Sequence, residues 1–140
     1  MADLPDPTER ELAILKVLWE RGELTVREVY EALRVELPIV QNTVQAFLRT
    51  MEQKGLVKHR EVGRSFVYRA VPQREQTTRR LVSNVLQSVF DGAIDQLVAS
   101  ALSLRAPTAQ ELESLRRLVA EAEVGAKRAR PAKRRRRRRA

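Results

Sequence analysis

Cysteine is absent from this chain, and histidine occurs once, at His59. Without cysteine there are no disulfides, no cysteine-ligated zinc fingers, no thiol nucleophile and no thiol-based metal sensing. A serine–histidine mechanism would have to run through His59, which lies in a strand-like stretch with no nucleophile motif around it. A surface histidine near a phosphate or water is the simpler reading, so no enzyme activity, metal site or cofactor is expected. Aromatics are scarce at 4%, which leaves Leu, Val, Ile and Ala to build the core within a 43% hydrophobic composition. Long apolar runs are missing too: charge or serine interrupts every few residues, so nothing here can span a bilayer. Met1 to Arg10 is polar and acidic and lacks the apolar run of a secretory leader, which predicts a cytoplasmic protein.

Charge of one sign is present, but in one place only. The net +9 is unevenly distributed along 140 residues. Residues 1–70 hold eleven basic and eleven acidic side chains, and residues 71–126 hold six and seven. The last fourteen residues hold ten basic side chains and no acid: Lys127, Arg128, Arg130, Lys133, Arg134, Arg135, Arg136, Arg137, Arg138 and Arg139. Two parts of the chain therefore need separate explanations.

Three segments open with Thr-x-x-Glu: Thr8 with Glu11, Thr25 with Glu28, and Thr108 with Glu111. In this capping box the threonine oxygen accepts from the third helical N–H, and the glutamate accepts from the threonine amide. Helical spacing follows each one. Leu12, Leu15 and Trp19, with Ile14 and Leu18, form one apolar face, and Arg21-Gly22-Glu23 ends it. Val26, Val29, Tyr30 and Leu33 form a second, and Pro38 interrupts. Val44, Phe47, Leu48 and Met51 form a third, which Gly55 stops in a left-handed conformation. The period then changes. Leu56 to Val62 and Ser65 to Val71 read as two strands around Gly63-Arg64, with Phe66, Tyr68 and Ala70 sharing a face. Three helices followed by a hairpin is the order of a winged helix-turn-helix.

Helical periodicity returns after Pro72. Val82, Val85, Leu86 and Val89 share a face, as do Ile94, Leu97, Val98 and Ala101, and Leu112, Leu115, Val119 and Ala122 make a further stripe. These helices carry too much apolar surface for solvent and are too few to fold around themselves. A second copy is the simplest cover, which makes Val82, Val85, Leu86, Val89, Ile94, Leu97 and Val98 the expected dimerisation set. The predicted fold is mainly α with a small β-hairpin. It comprises a winged helix-turn-helix over 1–72, a helical dimerisation region over 73–124 and a disordered, arginine-rich tail over 125–140.

In a helix-turn-helix the second helix enters the major groove. With Val44, Phe47, Leu48 and Met51 turned inward, Gln41, Asn42, Thr43, Gln45, Ala46 and Arg49 face outward. Asn and Gln can bond adenine with two hydrogen bonds, and Thr can bond a phosphate or touch a thymine methyl. Lys58 and Arg60 on the hairpin, with Arg64 at its turn, suit the phosphate backbone or minor groove, while Glu61 weakens that patch. The tail is expected to add sequence-independent attraction to DNA by counterion release, with RNA, polyphosphate or an acidic protein as other partners.

The chain resembles the penicillinase repressor family (BlaI/MecI/CopY type) of bacterial winged-helix repressors. The resemblance rests on Glu11–Trp19, Asn42–Arg49, Glu52–Val57 and Gly63-Arg64-Ser65-Phe66-Val67-Tyr68, with Phe90-Asp91-Gly92 and Gln96-Leu97-Val98 in the following helices. It implies a sequence-specific repressor acting as a homodimer on a pseudo-palindromic double-stranded DNA operator, in the bacterial cytoplasm and associated with the nucleoid. Typical members open the reading helix with a Trp-Ser-Pro-type sequence, where this chain has Ile39, Val40 and Gln41. Copper-responsive members use paired C-terminal cysteines, absent here. Inducible members are cut by a sensor protease in the dimerisation region, at a bond that aligns with Ser100–Ala101. The rival expectations are a low-specificity nucleoid-type DNA-binding protein that relies on the tail, and a protein-interaction module.

Overall fold

A computed structural model describes the backbone of residues 5–139 and the side chains of residues 5–129. The elements run α1 (Glu9–Arg21), β1 (Leu24–Thr25), α2 (Val26–Leu33), α3 (Gln41–Lys54), β2 (Val57–Val62), β3 (Ser65–Ala70), α4 (Arg74–Ser88), α5 (Ile94–Leu104) and α6 (Ala109–Arg139). This is a winged helix-turn-helix followed by further helices.

All three capping boxes are made. The Thr8 amide donates to Glu11 Oε1 at 2.9 Å and the Glu11 amide to Thr8 Oγ1 at 3.3 Å. The corresponding pairs measure 2.8 and 3.1 Å at Thr25–Glu28, and 2.9 and 3.0 Å at Thr108–Glu111. Gly55, at φ 87°, ends α3. Its amide donates to the Glu52 carbonyl (3.0 Å), and the Leu56 amide donates to that of Met51 (2.8 Å). Those two bonds satisfy carbonyls the helix end would strand, while Met51 and Leu56 are both buried.

The sheet order is β1-β3-β2, all antiparallel, with Leu24 opposite Tyr68 and His59 opposite Tyr68 on the other side. β1 is a third strand that the sequence pattern does not reveal, since two residues are too few for alternation to register. The core gathers Ile14, Leu15 and Leu18 of α1, Val29 and Leu33 of α2, Val44, Leu48 and Met51 of α3, and Ile39, Leu56, Val57 and Tyr68. The α1, α2 and α3 members and Tyr68 come from the faces that periodicity assigns, while Ile39, Leu56 and Val57 lie at loop and strand-start positions that periodicity does not mark. Phe47 packs against this cluster only partly buried, and Phe66, despite sharing the strand face of Tyr68, is exposed.

The boundary expected after residue 72 falls later. The chain divides between Asp91 and Gly92, so α4 belongs with the winged helix. Polar ties account for this: Trp19 Nε1 donates to the Pro72 carbonyl (3.0 Å), and the Arg74 guanidinium lies over the Trp19 ring. Asp6 accepts from Arg80 (2.7 Å) and Asn84 (2.6 Å) on α4. At the division Asp91 and Gly92 both take positive φ, 51° and 85°, which no helix continues through.

The second unit holds α5 and α6. The Arg105 guanidinium donates to both carboxylate oxygens of Glu111, at 2.8 and 2.9 Å, across the turn between them. Disorder is expected from residue 125, but α6 continues unbroken to Arg139. Ala120, Ala122, Ala126 and Ala129 are strong helix formers, whereas Pro131 has no N–H to bond the carbonyl of residue 127 and the close-set cations repel one another.

Candidate nucleic-acid interface

The reading helix is built by burying one face of α3. Val44, Leu48 and Met51 are fully buried, which turns Gln41, Asn42, Thr43, Gln45, Ala46 and Arg49 outward, all of them exposed. Asn42, Gln45, Ala46 and Arg49 follow at i, i+3, i+4 and i+7, one continuous stripe. From Leu37 to Met51 there is no acidic side chain. Val40 serves as N-cap without offering a side-chain oxygen. The Thr43 and Val44 amides instead bond the Val40 carbonyl, at 3.1 and 3.2 Å. The first turn of α3 therefore carries no carboxylate against the positive end of the helix dipole, which suits a phosphate.

The wing is fixed to α3 by a contact that sequence reasoning missed. His59 Nδ1 lies 2.7 and 2.9 Å from the two carboxylate oxygens of Glu52 on α3, and the His59 amide donates to Glu52 Oε2 at 3.4 Å. Its ring rests against Phe66 at 4.3 Å between centroids. His59 is thus a brace between helix and hairpin. Tyr68, behind it, has its hydroxyl pKa raised by burial and by the Glu52 carboxylate.

The basic wing residues separate into three situations. Register places Lys58 opposite Arg69 and Arg60 opposite Val67, on the sheet face turned away from the core residues Val57 and Tyr68. Arg60 is engaged there. Its Nη2 and Nε donate to Glu23 at 2.7 and 3.0 Å, which lowers the Glu23 pKa and raises that of the guanidinium. The expected phosphate contact through Arg60 would have to displace this pair, so Arg60 serves first to tie the wing to the α1–β1 turn. Lys58 is exposed on the same face, and Arg64 is exposed at the hairpin turn beside Gly63, at φ 61°. No sequence signal marks the Glu23–Arg60 or His59–Glu52 partners, because they lie 37 and 7 residues apart without a shared period.

Beneath this surface, Lys54 Nζ donates to both oxygens of the buried Glu11, at 2.8 and 3.0 Å. Burial alone would raise the Glu11 pKa, but the bonds from Lys54 and Thr8 outweigh it and leave it lowered. The capping glutamate of α1 thereby also anchors the C-terminal end of α3.

A sequence profile of the penicillinase repressor family matches residues 7–121. The chain belongs to the penicillinase repressor family. This repressor is 32% identical over 126 residues to the transcriptional regulator BlaI of Mycobacterium tuberculosis, covering 89% of this chain and 91% of that one. It is 23% identical over 121 residues to the penicillinase repressor of Bacillus licheniformis, covering 86% and 94%. Among solved structures it is similar to the DNA-binding domain of the repressor BlaI (TM-score 0.47, 28% identity, 53% of this chain and 90% of that one). A second is the monomeric form of Bacillus licheniformis BlaI in complex with the blaP half-operator (TM-score 0.47, 28% identity, 54% and 92%). The repressor is a DNA-binding transcriptional regulator and not an enzyme.

The residues expected to hold a dimer are on two units. On α4 and its C-cap, Val82, Val85 and Val89 are exposed and Leu86 is half-buried; on α5, Ile94 and Val98 are exposed and Leu97 is half-buried. Among the described residues no helix is long and apolar enough to cross a membrane, and no cluster of His, Asp and Glu could hold a metal. Of the tail cations, Lys127 and Arg128 are exposed on α6; the side chains of Arg130, Lys133 and Arg134 to Arg139 lie outside the described ones.

Proposed function

We propose that this repressor reads a pseudo-palindromic operator as a homodimer, each protomer placing the exposed face of α3 in the major groove of one half-site. The carrying observation is the acid-free stripe of Asn42, Gln45, Ala46 and Arg49 on the second helix of the helix-turn-helix, beside an uncapped helix N-terminus. Asn42 and Gln45 read bases. Thr43, Arg49 and Gln41 at the margins, with Lys58 and Arg64, hold phosphates and set the register of docking. The operator is DNA in the cytoplasm. Dimerisation is supported by the apolar surface that α4 and α5 leave exposed in one chain, since each lone half-site reader gains from being linked to a second.

Selection of bound sequences from a random duplex pool tests this reading. Asn42→Ala or Gln45→Ala should remove about 1–3 kcal/mol of discrimination at one base pair per half-site. Thr43→Ala and Arg64→Ala should weaken all sequences alike. An unchanged preference in the Asn42→Ala/Gln45→Ala double variant would place the reading face elsewhere. A protease that releases repression at Ser100–Ala101 meets a bond inside α5, and must first find that helix locally unwound.

A further inference from the structure

The family match ends at residue 121, but α6 continues to Arg139. The segment beyond the match contains all of the chain's excess positive charge, and operator reading by α3 does not use it. At about 1.5 Å per residue, the helix from Lys127 to Arg139 is about 18 Å long. Its ten cations thus fall about every 1.8 Å along the axis. Duplex DNA carries one phosphate charge per about 1.7 Å of its axis. The two charge densities nearly match.

We propose that the C-terminal end of α6 is a second DNA-binding element, a sequence-independent cationic rod that lies along the phosphates of duplex DNA. Charge composition excludes an internal partner of equal strength, because the remaining 126 residues have a net charge of −1 and supply no compensating acidic block. The helix itself calls for an external polyanion. Like charges recur four residues apart at Arg130–Arg134, Arg134–Arg138 and Arg135–Arg139, a spacing that opposes helix formation until the charge is neutralised. Duplex is favoured over single strands by what the segment lacks: Phe90 is the last aromatic residue in the chain, and single-strand binders stack bases on aromatic rings. A tethered site also raises its own effective concentration on the duplex that α3 already occupies. The inference stands independently of operator recognition, since it concerns any duplex.

The test is a salt titration of binding to a scrambled duplex, to the single strand of the same length, and to the selected operator. It compares the full chain with two full-length variants, one with all ten tail cations changed to Gln and one with every tail Arg changed to Lys. Gln has nearly the helix propensity of Lys and Arg, so it removes charge without removing a helix former. If half of the ten cations engage, the Gln variant should flatten the slope of log K against log salt on duplex by about 4–5 units. The full chain should then lose about 500-fold more scrambled-duplex affinity than the Gln variant between 50 and 200 mM salt. The Lys variant should keep the wild-type slope, and far-UV circular dichroism of the full chain should gain helix on adding duplex, a gain absent from the Gln variant. Equal slopes for the full chain and the Gln variant would overturn the proposal. So would a single strand bound as tightly as duplex, or a sequence preference altered by the Gln tail. Failure of operator reading would appear differently, as an operator-to-scrambled ratio near one in every variant.

Discussion

His59 and Glu11 each do work that their local sequence does not announce. His59 sits on β2, yet its ring nitrogen bonds Glu52 of α3, so a hairpin and a reading helix share one polar contact. His59→Ala should loosen the wing and cost about 1 kcal/mol, the scale of a solvent-accessible hydrogen bond. Chemical unfolding and hydrogen exchange of the Val57–Val62 amides measure the two effects; unchanged exchange would mean that strand pairing alone holds the wing. Glu11 is 2% exposed and Lys54 30%, so the cation of this pair keeps some solvent while the carboxylate keeps almost none. Lys54→Met leaves that carboxylate buried without its cation and should cost about 3 kcal/mol, the lower end for a broken buried pair. The pH dependence follows in sign. A carboxyl with a lowered folded pKa stabilises the fold above the usual carboxylate range, and that stability is lost as pH falls through the folded value. Wild-type stability should therefore fall from about pH 4.5 downward, and the acid-side loss should be smaller in Lys54→Met, as urea titrations at stepped pH will record.

At the scale of elements, helix starts and stops carry the organisation. The α5–α6 turn is set by three residues acting together: Thr108 caps α6, Glu111 completes the box, and Arg105 reaches back to the same carboxylate. The Arg105 bonds, aided by the Thr108 amide, pull the Glu111 pKa down to about 2. The contribution of this pair is complete above the usual carboxylate range, fades as pH falls below about 4.5 and is gone below about 2. Carboxyl resonances followed by NMR should show Glu111 titrating near that value, and Arg105→Gln should move it up toward the ordinary range. A wild-type midpoint already near 4.5 would mean that the Arg105 bond does not persist in solution. The same capping logic explains why Thr-x-x-Glu predicts three helix starts correctly. The signal is complete within four residues, and no distant contact is needed to satisfy it.

At the scale of the molecule, the unexplained apolar surface belongs to α4 and α5. Val89 is 65% exposed and Ile94 62%, an unfavourable state for side chains of that kind in water. Val89→Asp or Leu97→Asp places a charge within the surface proposed to meet a second copy. Each should give monomers at micromolar concentration and weaken operator binding, losing an amount comparable to the about 2–5 kcal/mol of a large-to-small core change. Sedimentation equilibrium reads the first outcome and operator titration the second. A wild type that sediments as a monomer, with both variants binding operator normally, would refute the shared-surface reading.

The sequence by itself determined what depends on neighbours in the chain. Helical and strand periodicity selected the core faces of α1, α2 and α3, the capping boxes marked three starts, and Gly55 marked the end of α3. Outward placement of Asn42 and Gln45 followed from the inward placement of Val44 and Leu48, a consequence of 3.6 residues per turn. Tertiary structure alone decided the rest. It paired Arg60 with Glu23, a partner that a phosphate would have to displace, it recruited His59 as a brace, and it drew Leu24–Thr25 into the sheet as β1. It also joined α4 to the winged helix through Asp6 and Trp19, moving the division of the chain from residue 72 to Asp91. Periodicity reports which side of an element is buried, whereas the partner of an individual side chain is set by which elements meet and at what distance. That information exists only once the chain has folded.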